Sequence, residues 1–151
     1  MNAPVDLGLT TAAVFVWLGM VLGISFVEAP LKFRAPGITI PLGLGIGRLV
    51  FRALNGFEVA FAVVLIGCAV GGEWGATARG LLVIAVVVVL TVGVLVVRPL
   101  LNRHSDEVLA AAAAGSALPS GPRSRTHLVY VALEVAKVAL LIALGVVLLV
   151  G

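Results

Sequence analysis

The stretch YVALEVAKVAL, residues 130–140, sets Glu134 and Lys137 three positions apart in an otherwise apolar run. Two further carboxylates stand in similar settings, Glu28 at the end of one apolar run and Glu58 within another. An ionisable side chain in hydrocarbon costs on the order of 2.5 to 3.5 kcal/mol, so each of these groups needs a partner or a task. Ion pairing, proton exchange and cation binding are the chemistries open to such a set. Which of them applies depends on whether the elements carrying the residues bring them together.

Those elements follow from composition. The chain has 151 residues, 62% of them hydrophobic, which is more apolar surface than a soluble core of this size could hide. Four stretches, 9–27, 49–70, 81–97 and 128–150, approach or exceed the roughly 20 residues needed to cross a bilayer as helix. Runs such as LLVIAVVVVLTVGVLVV lack the alternation of a membrane barrel strand, so the expected fold is all-α. It is a polytopic membrane protein with one four-helix transmembrane domain over 1–151. The opening MNAPVDLGLT has neither a basic n-region nor a small-x-small cleavage site downstream, so the first span is expected to be retained.

Lys32, Arg34, Arg48 and Arg52 flank or occupy the first connection, and Arg98, Arg103, Arg123 and Arg125 the third. The second connection has only Arg79. By the positive-inside rule the first and third connections face the cytoplasm, leaving both termini outside. The same distribution accounts for the net charge of +3 without nucleic acid, whose recognition needs cations on one exposed face. The single Cys68 excludes an intrachain disulfide and reads as a small buried residue.

The first connection, rich in Pro and Gly, is expected to run along the interface, and its Gly43, Gly45 and Gly47 lack the strand and Lys-Ser/Thr of a phosphate loop. The second is short, so the spans it joins are antiparallel neighbours, with Trp74 at the interface. In the third, Arg98 and Pro99 end or bend the span, Ser105 reads as the N-cap of a short interfacial helix closed by Gly115, and SALPSGPRSR has loop composition. No repeat of 20 to 50 residues is evident, and the similarity between the first and second helix pairs is too faint to use.

Counted from the basic ends, Glu28, Glu58 and Glu134 lie roughly 6 to 11 Å inward, in one layer. At about 100° per residue, Tyr130, Glu134 and Lys137 form one stripe, opposite Ala132, Ala136, Ala139 and Ala143. Glu58 opposes Gly56, Ala60 and Gly67, and Gly19 and Gly23 make a G-x-x-x-G opposite Glu28 and Trp17. The expectation is a polar cluster of Glu28, Arg48, Arg52, Asn55, Glu58, His127, Tyr130, Glu134 and Lys137 in the cytoplasmic half, the small-residue faces packing within the bundle or between copies. Such a cluster either fixes helix register as an ion pair or serves a proton, ion or small solute. Haem or metal binding would rest on His104, His127 or Met20, without ligand spacing to support it, so no metal or cofactor is expected. No Ser/His/Asp set is present in matching spans.

WLGMVLGISFVEAPLKF followed by GRLVFRALNGFE resembles a broad family of small four-helix bacterial membrane proteins of unassigned function. More distantly it resembles the membrane part of copper-resistance D proteins and a eukaryotic transmembrane protein linked to platinum-drug tolerance. The shared pattern is Trp17 and Gly19, the Ala29-Pro30 break with Phe33 after it, and Arg48 with Phe51. It implies a four-helix bundle in the inner membrane and supplies no reaction. The expected role is therefore a non-enzymatic accessory or structural component of a membrane assembly, partnered by the bilayer and by other subunits or its own copies. A small oligomeric proton- or ion-coupled transporter is the alternative, and a haem- or metal-binding redox protein the third.

Overall fold

A computed structural model describes residues 3–116 and 125–150, with no strand among them. Four helices are long and apolar enough to cross a membrane: α1 (Leu7–Arg34), α2 (Ile40–Gly71), α3 (Ala78–Ala113) and α4 (Arg125–Val150). All four overrun the apolar stretches that announce them, because the sequence signals read as breaks do not break them.

Proline shows why. Inside a helix it removes a donor and drives its ring into the carbonyl four residues back. Pro30 and Pro99 each follow a wide π-turn, Leu22–Glu28 in α1 and Gly93–Val97 in α3. There the Ala29 N–H donates to Ile24 O and the Arg98 N–H to Gly93 O, five residues back. The widened turn makes room for the ring, and both helices run on.

Two expectations are corrected by this. The third connection holds no separate interfacial helix: α3 passes through Pro99 to Ala113, and Ser105 is no cap but an interior residue donating to Leu101 O at 3.1 Å. The end at Gly115 is as expected, with φ +64° and paired bonds from Ser116 N–H to Ala111 O and from Gly115 N–H to Ala112 O. The expected loop at 117–124 lies outside the described residues, as does the side chain of His104.

The first connection is likewise not a long interfacial segment. α1 ends in a tight turn at Lys32–Arg34, Gly37 reverses the chain at φ +79°, and α2 starts at Ile40 and not at residue 49. Thr39 caps it, accepting from the Leu42 N–H at 3.4 Å, with Pro41 in the first turn where a missing donor costs nothing. Between α2 and α3, Thr77 plays the same part for the Gly80 N–H. Gly80 presses on the carbonyls of Gly75 and Trp74, where no Cβ could fit.

Each helix packs against its two neighbours in chain order, closing a ring in which α2 and α4 stand diagonally opposed. Val14, Trp17 and Val21 of α1, Leu65 of α2, Val83, Val86 and Leu90 of α3, and Leu141, Leu144 and Leu148 of α4 fill its centre.

This core exposes an internal repeat that side-chain types alone conceal. Val14, Trp17 and Val21 lie at the same spacing before Pro30 as Val83, Val86 and Leu90 before Pro99, and all six are buried. The two five-back bonds fall at equivalent positions, too. In the second helices, Leu49, Val50, Ala53, Leu54, Val59, Ala60 and Leu65 recur in register as Leu128, Val129, Ala132, Leu133, Val138, Ala139 and Leu144. The bundle is thus two similar helix hairpins, α1–α2 and α3–α4, facing each other across its centre, with the repeat running parallel.

The small-residue stripes lie outside this core. Gly19, Gly23, Gly56, Ala60, Gly67, Ala132 and Ala139 are exposed, and Ala136 and Ala143 half-buried. A Cβ built on any of those four glycines meets no atom of the chain. They do not pack the bundle internally, because branched and aromatic residues already fill it.

A candidate functional site: a buried ion triad

α2 and α4 face each other diagonally, and on that diagonal Lys137 reaches Glu58. Its Nζ lies 2.6 Å from Glu58 Oε1 and 2.9 Å from Glu134 Oε1. Glu58 is 1% exposed, Lys137 3% and Glu134 5%. Glu134 and Lys137 meet because three residues of helix bring two side chains onto one face. Glu58 meets them because its position in the first hairpin is that of Lys137 in the second.

Charges buried this deeply persist only when their remaining lone pairs are occupied. Trp17 Nε1 donates to Glu58 Oε1 at 3.0 Å, and Ser25 Oγ to Glu134 Oε2 at 3.0 Å. Assigned from its hydrogen-bonding surroundings, the Asn55 amide turns its nitrogen to Glu58 Oε2 at 3.2 Å and its oxygen to Arg98 Nε at 3.1 Å. Arg98 Nη2 also donates to the Tyr130 hydroxyl at 3.3 Å, and the guanidinium lies 4.5 Å from the centre of the Phe51 ring. Phe51 and Tyr130, again at equivalent positions of the two hairpins, meet edge to face at 6.0 Å. Both π-turns serve this layer: one carries Ser25, and the other ends at Arg98.

The structure thus brings together Asn55, Glu58, Tyr130, Glu134 and Lys137 of the residues expected from the sequence. Glu28 turns away to pair with Lys32 at 3.3 Å. The π-turn is the reason, since residues in it advance by less than 100° and a wheel drawn for an ordinary helix misplaces them. Arg48 is engaged by Asp106 at 2.6 Å and by Asn102 O at 3.1 Å. Arg52 and His127 are exposed, the latter in the first turn of α4. Compensation of the carboxylates comes from Lys137 and, through Asn55, from Arg98.

Trp17, Ser25 and Arg98 are members that sequence reasoning missed. Trp17 was placed on a face with Glu28 yet not with the cluster, although an indole N–H on a polar stripe is a donor seeking an acceptor. Ser25 is the only serine within the four apolar stretches, and Arg98 directly precedes the proline that shapes its turn.

The arrangement can do two things. It can hold three helices in one register, and it can exchange a proton, since two carboxylates share a single lysine. Among the described residues no three His, Cys, Asp or Glu side chains come close enough to hold a metal ion. Comparison with protein-family models, with curated proteins and with solved structures finds no match in any of the three.

Proposed function

We propose that this chain is a non-enzymatic accessory component of a bacterial inner-membrane assembly, with the ion triad as its internal lock. The first and third connections would face the cytoplasm, following the Arg and Lys distribution. One observation carries the reading: every oxygen of Glu58 and Glu134 is engaged by a side chain of the same chain, and the three charged residues themselves are at most 5% exposed. A solute would have to displace these partners to reach either carboxylate. Its evident product is a fixed register of α1, α2 and α4, which leaves the outward glycines available to other helices.

The test is to replace the triad with apolar residues of similar size, Glu58→Leu, Glu134→Leu and Lys137→Met together. A lock tolerates this, as buried ion pairs often tolerate well-packed apolar substitutes. Folded yield and the set of stoichiometric partners recovered from native membranes in mild detergent should match wild type. Loss of partners from a folded triple variant would reject the reading.

A second reading is favoured by a different observation. Parallel repeats and a charged centre where the repeats meet are features shared with secondary transporters, and here the helices also widen into π-turns at equivalent points. In that reading Glu58 and Glu134 exchange a proton as they release Lys137. Proton flux in proteoliposomes that disappears in Glu58→Gln and Glu134→Gln, with folded protein retained, would support it over the first.

A further inference from the structure

A cleft of about 180 Å³ opens between α2 and α3, lined chiefly by Arg48, Arg52, Arg98, Asn55, Asn102 and Pro99. Three guanidiniums around one small space repel one another unless an anion joins them. The chain supplies only part of that anion. Asp106 pairs with Arg48 from an exposed position, while Arg48 Nε is buried without a partner. Among the described residues none pairs with Arg52. Arg98 is held in place by Asn55, Tyr130 and the Phe51 ring.

The repeat shows that the fold does not require these cations. At the equivalent positions facing α1 and α4 stand His127 for Arg48, Val131 for Arg52 and Ala29 for Arg98, while the two prolines match. α1 and α4 pack against each other with no arginine at these positions. Topology does not require the concentration either, since the positive-inside preference is satisfied by cations anywhere along the connections.

We infer that this cleft binds a phosphate-type oxyanion, with Arg98 as a preset fork and Arg48 and Arg52 completing the donors. Guanidinium matches the oxygens of phosphate two at a time, and the two asparagine amides line the same space. The volume is below that of sites for drug-sized organic ligands, which begin near roughly 300 Å³, so the ligand is a small anion or the phosphate of a larger molecule kept outside. Free phosphate and an anionic lipid headgroup share this chemistry.

The experiment uses the full chain in nanodiscs and follows its thermal unfolding midpoint. In one arm inorganic phosphate is titrated into discs of phosphatidylcholine; in the other, part of that lipid is replaced by phosphatidylglycerol. Stabilisation by phosphate identifies the free ion as a source, and stabilisation by phosphatidylglycerol the headgroup; either supports the site provided Arg52 is required. Arg52→Gln, which removes no hydrogen bond or ion pair within the described chain and relieves repulsion among the three cations, should keep or raise the midpoint without added anion. It should weaken apparent phosphate affinity, or cut the lipid effect, by about tenfold or more, as expected for a lost charge-assisted hydrogen bond. Arg79→Gln, at the other end of the bundle, should behave as wild type. Absence of stabilisation in both arms, an unaltered response in Arg52→Gln, or an equal loss in Arg79→Gln would overturn the proposal.

Discussion

Lys137 and Glu58 occupy equivalent positions in two repeated helix hairpins and pair with each other at 2.6 Å across the centre of the bundle. A position on the symmetry line of a repeat meets its own counterpart, as Phe51 and Tyr130 also do. Had both copies kept the same charge, the contact would be repulsive. Opposite charges turn this buried meeting point of the repeat into a cross-link, and Glu134, one turn from Lys137, adds the third member.

Removing the lysine alone should be severe. Lys137→Met leaves Glu58 and Glu134 facing each other in a dry layer, and breaking one side of a buried pair costs about 3–5 kcal/mol. Reversible unfolding in mixed micelles should show a loss of that order, while the triple apolar variant recovers most of it.

Trp17→Phe removes the N–H to Glu58 and shrinks a fully buried ring that now stacks on Phe61 at 6.1 Å between centres. A hydrogen bond to a charged group contributes about 1.5–3 kcal/mol and the cavity adds to the loss, so stability should fall by at least that range. In Lys137→Met the same substitution should have a different effect, because Trp17 and Lys137 share Glu58 Oε1.

Gly19→Ile separates bundle stability from association. Gly19 is exposed and a Cβ there meets nothing, so unfolding should change by less than about 0.5 kcal/mol. If α1 docks other helices through its G-x-x-x-G, sedimentation or crosslinking should show weaker association.

The charged layer was legible in the sequence because a Glu or Lys within an apolar run announces itself, and depth with helical phase sufficed to gather Glu58, Glu134 and Lys137. Helix ends were less legible. Pro30, Pro99 and Ser105 carry the local chemistry of helix boundaries, but a wide turn absorbs each proline and the helix continues. The same turns corrupt helical phase, which is why Glu28 was expected inside. The repeat is faint in the sequence because its matching residues are common apolar types, while its central positions differ in charge: Asn55 answers to Glu134 and Glu58 to Lys137. The matches in register, the equivalent prolines and the shared buried core together show that they are counterparts.

The most direct measurement exchanges the two charges. Glu58→Lys and Lys137→Glu should each unfold the bundle or cost about 3–5 kcal/mol, since each gathers like charges in the buried layer. Combined, they restore an opposite pair across the same line, and the double variant should be more stable than either single one by about 2 kcal/mol or more in a complete mutant cycle. Additive losses, with no recovery in the double variant, would contradict a direct pairing of Glu58 with Lys137.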